Sequence, residues 1–292
     1  LIRLGVWTIL DEKLREKKMR KDGLIICLVL IFMVVVSATT KQVEPKPKYV
    51  EIITKFGVMK VLLYDDTPLH RDNFLKWIRA GFYDSLTFHM VTPEGTAQGG
   101  DIKSKYATED SVIGDSDFGY RIPAEFRPHH IHKYGALSAA RDINPEFASH
   151  PTQFFLVRGT NYNIKDLQKM EGYKNQMIRT NIFYTLMNAD STQKRIADFG
   201  LRGDKEGLRT YTKTFQTKTD SIFAMRAPFT FTTEQLRTYN TIGGVPPLDS
   251  GYTVFGEVVS GLHIIDSICN QPTAKNKRPI KDIRMKIREV KN

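Results

Sequence analysis

Short apolar runs recur along residues 49–290, and their lengths restrict the fold more than any other feature of the chain. Residues 49–64 read as two strands around a turn at Lys55-Phe56-Gly57, with Val58, Val61 and Leu63 supplying β-branched and apolar side chains. Further runs lie at 86–91, 135–140, 154–157 and 252–259, and a last one near 280–290. Residues 68–80 read instead as a helix, with Phe74, Trp77 and Ile78 on one face and Gly81 as its stop. A second short helix falls around 263–268. Many short strands with few helices predict a mainly β fold, a closed antiparallel barrel.

The segment between Arg158 and Thr241 breaks this pattern. Leu167, Met170, Met177, Ile178 and Ile182 recur roughly at helical spacing. Thr232 followed by Gln235 is a capping-box pattern, and Gly243-Gly244 ends the stretch. Residues 159–240 therefore read as a mostly helical insertion whose Met and aromatic residues form local core. The barrel comprises 46–158 and 241–292.

Ahead of the barrel, residues 24–36 form an uninterrupted apolar run, LIICLVLIFMVVV, preceded by Lys17, Lys18, Arg20 and Lys21 and followed by Ser37 and Ala38. This is the order of a secretory signal: basic, apolar, then small. The run is shorter than the roughly 20 residues of a spanning helix. A cleaved signal peptide is favoured over an uncleaved anchor, with membrane attachment through 24–36 as the second reading. Residues 1–45 are thus a signal or anchor plus linker, with Met19 as a natural start. The expected location is periplasmic or cell-envelope, secreted or membrane-anchored.

The net charge of +11 is carried by two segments. Residues 271–292 hold eight Lys and Arg against two acids, and 159–240 hold thirteen against eight. The rest of the chain is close to neutral, so nucleic acid is not an expected partner. The basic tail reads as solvated surface. Cys27 and Cys269 offer neither a disulfide framework nor metal-ligand spacing, and Cys269 is expected to be a buried lone thiol.

Three ordered stretches carry a resemblance. The first is Tyr83-Asp84-Ser85-Leu86-Thr87-Phe88-His89, running on to Gln98-Gly99-Gly100-Asp101. The second is Gly135-Ala136-Leu137-Ser138-Ala139-Ala140, then Thr152-Gln153-Phe154-Phe155. The third is Leu248-Asp249, then Tyr252-Thr253-Val254-Phe255-Gly256-Glu257-Val258. Together they resemble the cyclophilin-type peptidyl-prolyl cis-trans isomerases over roughly 49–158 and 241–290. Residues 121–126 are similar to bacterial members, and 231–258 to exported versions from the Bacteroidetes group. The resemblance implies an eight-stranded antiparallel barrel capped by two helices. It also implies rotation about the bond preceding proline, on proline-containing polypeptide clients, by a monomer.

Rotation about an amide meets a barrier of about 18–20 kcal/mol because resonance stiffens the C–N bond. No bond breaks, so the chemistry requires no nucleophile, metal or cofactor. It needs a cation or donor near the prolyl nitrogen, donors for the carbonyl, and an apolar grip on the ring. By the resemblance, Gln98 donates to the substrate carbonyl and Phe155 and Leu248 floor the proline pocket. His89, Ala140, Arg141 and Tyr252 line the path of the substrate. The family's Arg, however, falls on Met90, whose thioether supplies neither charge nor a strong donor. The aromatic wall and neighbouring Met fall on Gly95 and Thr96, and the family's Trp on Pro247.

Losing one preorganised donor costs about 2.7–4 kcal/mol in other reactions, and losing an aromatic wall another ~1.5–3 kcal/mol of binding. The expectation is a weak isomerase; the alternative is a catalytically impaired proline-binding chaperone or interaction module. A third reading brings Arg141, Arg158 or Arg179 into the vacant place.

Overall fold

The structure, a computed structural model, describes residues 46–108 and 111–290. Strands β1 (Lys48–Thr54) and β2 (Gly57–Leu63) pair as an antiparallel hairpin, Val50 opposite Val61 and Ile52 opposite Met59. Alternation fixes their faces. Val50, Ile52, Met59, Val61 and Leu63 are buried, while Glu51 and Lys60 take the other side. The remaining strands are β3 (Phe88–Val91), β4 (Thr96–Gly99), β5 (Ala136–Ala139), β6 (Phe154–Val157), β7 (Val254–Ser260) and β8 (Met285–Glu289).

All are antiparallel, in the order β3-β4-β6-β5-β7-β2-β1-β8. The sheet curls until its edges meet: Thr87 bridges Arg284, and the amides of Ser85 and Phe88 donate to the carbonyls of Met285 and Ile283, each at 3.0 Å. The eight-stranded antiparallel barrel expected from the sequence is the architecture found.

The helices are α1 (Pro68–Arg79), α2 (Ile164–Met187), α3 (Asp190–Leu201), α4 (Lys205–Ala224), α5 (Thr233–Thr241) and α6 (His263–Cys269). Two of them close the barrel. α1 contributes Phe74, Leu75 and Ile78, and α6 contributes Ile264, Ile265, Ile268 and Cys269, to one core shared with the strands. Pro68 suits the first helical position, where its missing N–H costs nothing. Thr67 makes no side-chain cap. Instead the Glu125 carboxylate accepts the amides of Leu69 at 3.1 Å and His70 at 3.0 Å, a favourable place for negative charge. Burial pushes this carboxyl up, and hydrogen bonds from His70 and Leu69 more than offset it, leaving it below its ordinary range.

Cys269 is buried as expected, and burial pushes its thiol up to about 12, which leaves it unreactive at neutral pH. Gly100 has φ +95°, and a Cβ there would collide with the Thr152 carbonyl. The Gln-Gly-Gly-Asp turn thus depends on glycine at that position.

The 159–240 segment is helical, and the Thr232/Gln235 capping box forms at the start of α5. Leu167, Met170, Phe231 and Tyr239 pack with Ile131 of the barrel, so the root of the insertion is cored. Farther along, α2 and α4 are tied by an Arg179–Asp220 ion pair at 2.5 Å, but Tyr173, Met177 and Tyr184 are exposed. The apolar spacing in α2 therefore builds core only at its barrel end, and Met177 is a correction to the local-core expectation. A helix that projects past the sheet has fewer layers to bury against.

The basic tail is likewise not all solvated: Arg278 is buried, and β8 is a sheet strand. The apolar run 24–36 and Met19 lie outside the described residues. Among the described residues no helix is long and apolar enough to cross a membrane.

Candidate functional site

Register places the resemblance residues in one row. Met90 pairs with Gln98 across β3 and β4, Gln98 with Phe155 across β4 and β6, and Phe155 with Ser138 across β6 and β5. Their chain neighbours Val91, Ala97, Phe154 and Leu156 belong to the core. By alternation the row Met90–Gln98–Phe155 faces outward.

Gln98 is half-buried and its Nε2 donates to Gln153 Oε1 at 3.0 Å. The Gln153 amide donates in turn to Asp101 at 3.3 Å and to the Gly114 carbonyl at 3.1 Å. Asp101 also accepts the amides of Lys103, Gly114 and Ser116. Gln98 is thereby held by a chain of fixed groups while its second N–H stays available.

At the row's other end, Phe155 packs with Ala140 and Val254, and with partly buried Leu248, Tyr252, Val245 and Tyr64. The Tyr252 ring meets Phe155 edge-on at 5.5 Å, and the His132 ring stacks on it at 5.9 Å. Arg141 Nε donates to the Gly251 carbonyl at 2.6 Å, and its guanidinium lies over Tyr252 at 4.9 Å and Phe147 at 4.7 Å. Ala140 donates its amide to Gln153 and its carbonyl accepts from His150, so its backbone groups are spent within the fold.

Gly95 ends the β3–β4 turn and Thr96 is the first residue of β4. The Thr96 amide donates to Thr92 Oγ1 at 2.9 Å, and the Gly95 carbonyl accepts from Arg158 and Gly159. No aromatic stands there. Pro247 is exposed.

Of the three arginines considered for the vacant place, Arg158 pairs with Asp266 at 2.8 Å and Arg179 with Asp220, so neither is free to serve it. Arg141 lies at the Tyr252 wall. Beside Met90 is a different arginine. Met90, Gln98, His89 and Arg278 line a cavity of about 510 Å³ together with residues 111–114 and Asn276. Arg278 Nη1 donates to the Thr108 carbonyl at 2.6 Å and Nη2 to Asp282 at 3.1 Å.

His89 is buried, and neither ring nitrogen has a hydrogen-bond partner among the described residues. Burial lowers its pKa to about 4, so the ring is neutral at pH 7. The unfolded chain takes up this proton near 6.5 and the folded chain only near 4. Stability from this group is intact above pH 6.5 and falls as pH drops toward 4, by about 3 kcal/mol in all. Urea unfolding of His89→Gln should show a flatter pH dependence over that window. A variant with the full wild-type decline would remove His89 as its source.

Sequence reading missed His132, Asp249 as its partner, and Arg278. Asp249 Oδ1 accepts from His132 Nδ1 at 2.9 Å although 117 positions separate them, and no local pattern signals that pairing. Gln153 belongs to the Thr152-Gln153-Phe154-Phe155 stretch, but only its bonds to Gln98, Asp101 and Gly114 reveal its part in the site.

A family model described as cyclophilin type peptidyl-prolyl cis-trans isomerase/CLD matches residues 49–178 and 215–291, well over half the chain. The chain belongs to the family of cyclophilin-type peptidyl-prolyl cis-trans isomerases. Among its relatives, a protein of Staphylococcus epidermidis, designated by inference a peptidyl-prolyl cis-trans isomerase, is 24% identical over 244 residues, 83% of this chain and 91% of its own. A Streptococcus pyogenes protein, designated by inference a bifunctional phosphatase/peptidyl-prolyl cis-trans isomerase, is 31% identical over 160 residues, 52% of this chain and 32% of its own. Among solved structures, a cyclophilin type isomerase of Cryptosporidium parvum has a TM-score of 0.49 at 20% identity, covering 84% of this chain and 99% of that one.

Proposed function

We propose that this cyclophilin-type isomerase acts on proline-containing chains exported from the cytoplasm, and that its turnover is low. The observation that carries the low turnover is Met90 beside Gln98 on the outward row, where rotation calls for a cation. Gln98 offers its free N–H to the carbonyl of the substrate. Phe155, Leu248 and Tyr252 form the apolar surface that grips the proline ring. Holding ring and carbonyl favours the twisted amide over both planar forms, which lowers the barrier without covalent chemistry. The apolar run at 24–36 with its basic flank supports export.

A protease-coupled assay on an Ala-Pro peptide tests the activity. Wild type should exceed the Gln98→Ala, Phe155→Ala double variant by about 10²-fold or more. Equal rates would leave the alternative, a proline-binding chaperone or interaction module that kept the barrel and lost the chemistry. Retention of the Gln98–Gln153 pairing and the Phe155 floor alongside Met90 supports that second reading.

A further inference from the structure

Away from the Met90–Gln98–Phe155 row, two consecutive histidines converge on one carboxylate. His130 Nε2 lies 2.8 Å from Asp66 Oδ1, and His129 Nε2 lies 3.0 Å from Asp66 Oδ2. One ligand atom from each of the three residues falls within 4.8 Å of the others. Asp66 comes from the segment between β2 and α1, and the histidines from the approach to β5, so the fold and not local sequence assembles the set.

We propose that Asp66, His129 and His130 form a binding site for a divalent transition-metal ion, with Zn²⁺ as the ion of choice. Two imidazole nitrogens and a carboxylate oxygen are a donor set suited to Zn²⁺. Bond lengths of about 2.0–2.1 Å in a tetrahedron put ligand atoms about 3.3 Å apart. The two histidine–carboxylate contacts open by a few tenths of an ångström to admit the ion, and any separation up to the 4.8 Å limit of the set closes onto it.

The rings are also held in place. His130 is half-buried and stacks on Tyr64 with centroids 3.8 Å apart and planes 13° from parallel. A metal ligand must be a neutral imidazole, so an ion here competes with protons for both histidines. Two cations oppose the ion: Arg127 Nε stands 3.9 Å from Asp66 Oδ2 and must give way or share the carboxylate, and Lys133 lines the adjoining cavity, paired with Glu257 at 2.6 Å.

Space for water at the open coordination position is provided by a cavity of about 340 Å³ lined by Tyr64, His129, His130 and Glu234. Tyr64 also packs against the Phe155 cluster. A bound ion would therefore stiffen a wall shared with the proline pocket without entering it.

The test is titration of the full chain, stripped of metal by a chelator, with Zn²⁺ against a chromophoric zinc indicator. One ion per chain is expected at micromolar or tighter Kd. His129→Ala removes a mostly exposed ligand, so folding is not at stake, and should weaken binding by more than about 10-fold, as should Asp66→Asn. The rise of Tm with Zn²⁺ should shrink in the same variants. Absence of stoichiometric uptake, or uptake unchanged in both variants, would overturn the site.

Discussion

Met90→Arg is expected to raise kcat/KM on an Ala-Pro peptide by about 10²–10³-fold, the effect of restoring one preorganised electrostatic contact of about 2.7–4 kcal/mol. Met90 pairs with Gln98, so a guanidinium on this side chain would rise beside the carbonyl donor and within reach of the prolyl nitrogen. The partly buried Met90 side chain faces a cavity of about 510 Å³, which leaves room for the longer group. Arg278 lines the same cavity, and like-charge repulsion would reduce the gain. Its own buried guanidinium is tied to the Thr108 carbonyl and to Asp282, however, and the Asp282 carboxylate offsets its charge. The repulsion therefore reduces the gain without abolishing it. Peptide affinity should change little, because the grip on the ring comes from Phe155, Leu248 and Tyr252. An unchanged rate in a folded variant would mean that the missing cation is not what limits this enzyme. A rise in affinity equal to the rise in rate would assign the arginine to uniform binding instead.

How much could be read beforehand follows from the range of each interaction. Val50, Ile52, Met59, Val61 and Leu63 announce β1 and β2 because inward and outward residues alternate within a few positions. The Thr232/Gln235 box announces α5 because capping acts over three residues. Glu125 capping α1 across 56 positions leaves no such trace, nor does buried Arg278 in a stretch whose charge count suggests a solvated tail. Helical spacing in α2 was legible, but its burial was not. Spacing shows which residues share a face, whereas the number of neighbouring layers decides whether that face is covered. The Leu248-Asp249 motif pointed to the proline floor through Leu248, and the part Asp249 plays emerged only when His132 and Tyr239 were brought to it.

Asp249→Ala is expected to destabilise the fold by about 3–5 kcal/mol, because it strands three donors at once. The carboxylate, 9% exposed, takes the His132 amide and His132 Nδ1 at 2.9 Å on one oxygen, and the Tyr239 hydroxyl at 2.6 Å on the other. Burial and the nearby Asp249 push the Tyr239 pKa far above its ordinary value, so the phenol stays a donor at every accessible pH. Tyr239 belongs to α5 and His132 to the approach to β5, so one side chain fastens the helical segment to the barrel. A loss of this size lowers Tm by about 10 °C in a chain of this length. Tyr239→Phe removes a single bond and should cost about 0.5–1.5 kcal/mol. In that background Asp249→Ala should cost less than it does alone, the coupling expected of groups that share a partner. The substitution should also reach the pocket. His132 Nε2 contacts Ser138 Oγ at 3.1 Å while its ring stacks on Phe155, so an imidazole released from Asp249 no longer fixes the floor. KM for the Ala-Pro peptide should then rise more than kcat falls. Urea unfolding and the coupled assay check both statements. A cost below about 1 kcal/mol would show that water replaces the carboxylate at this network.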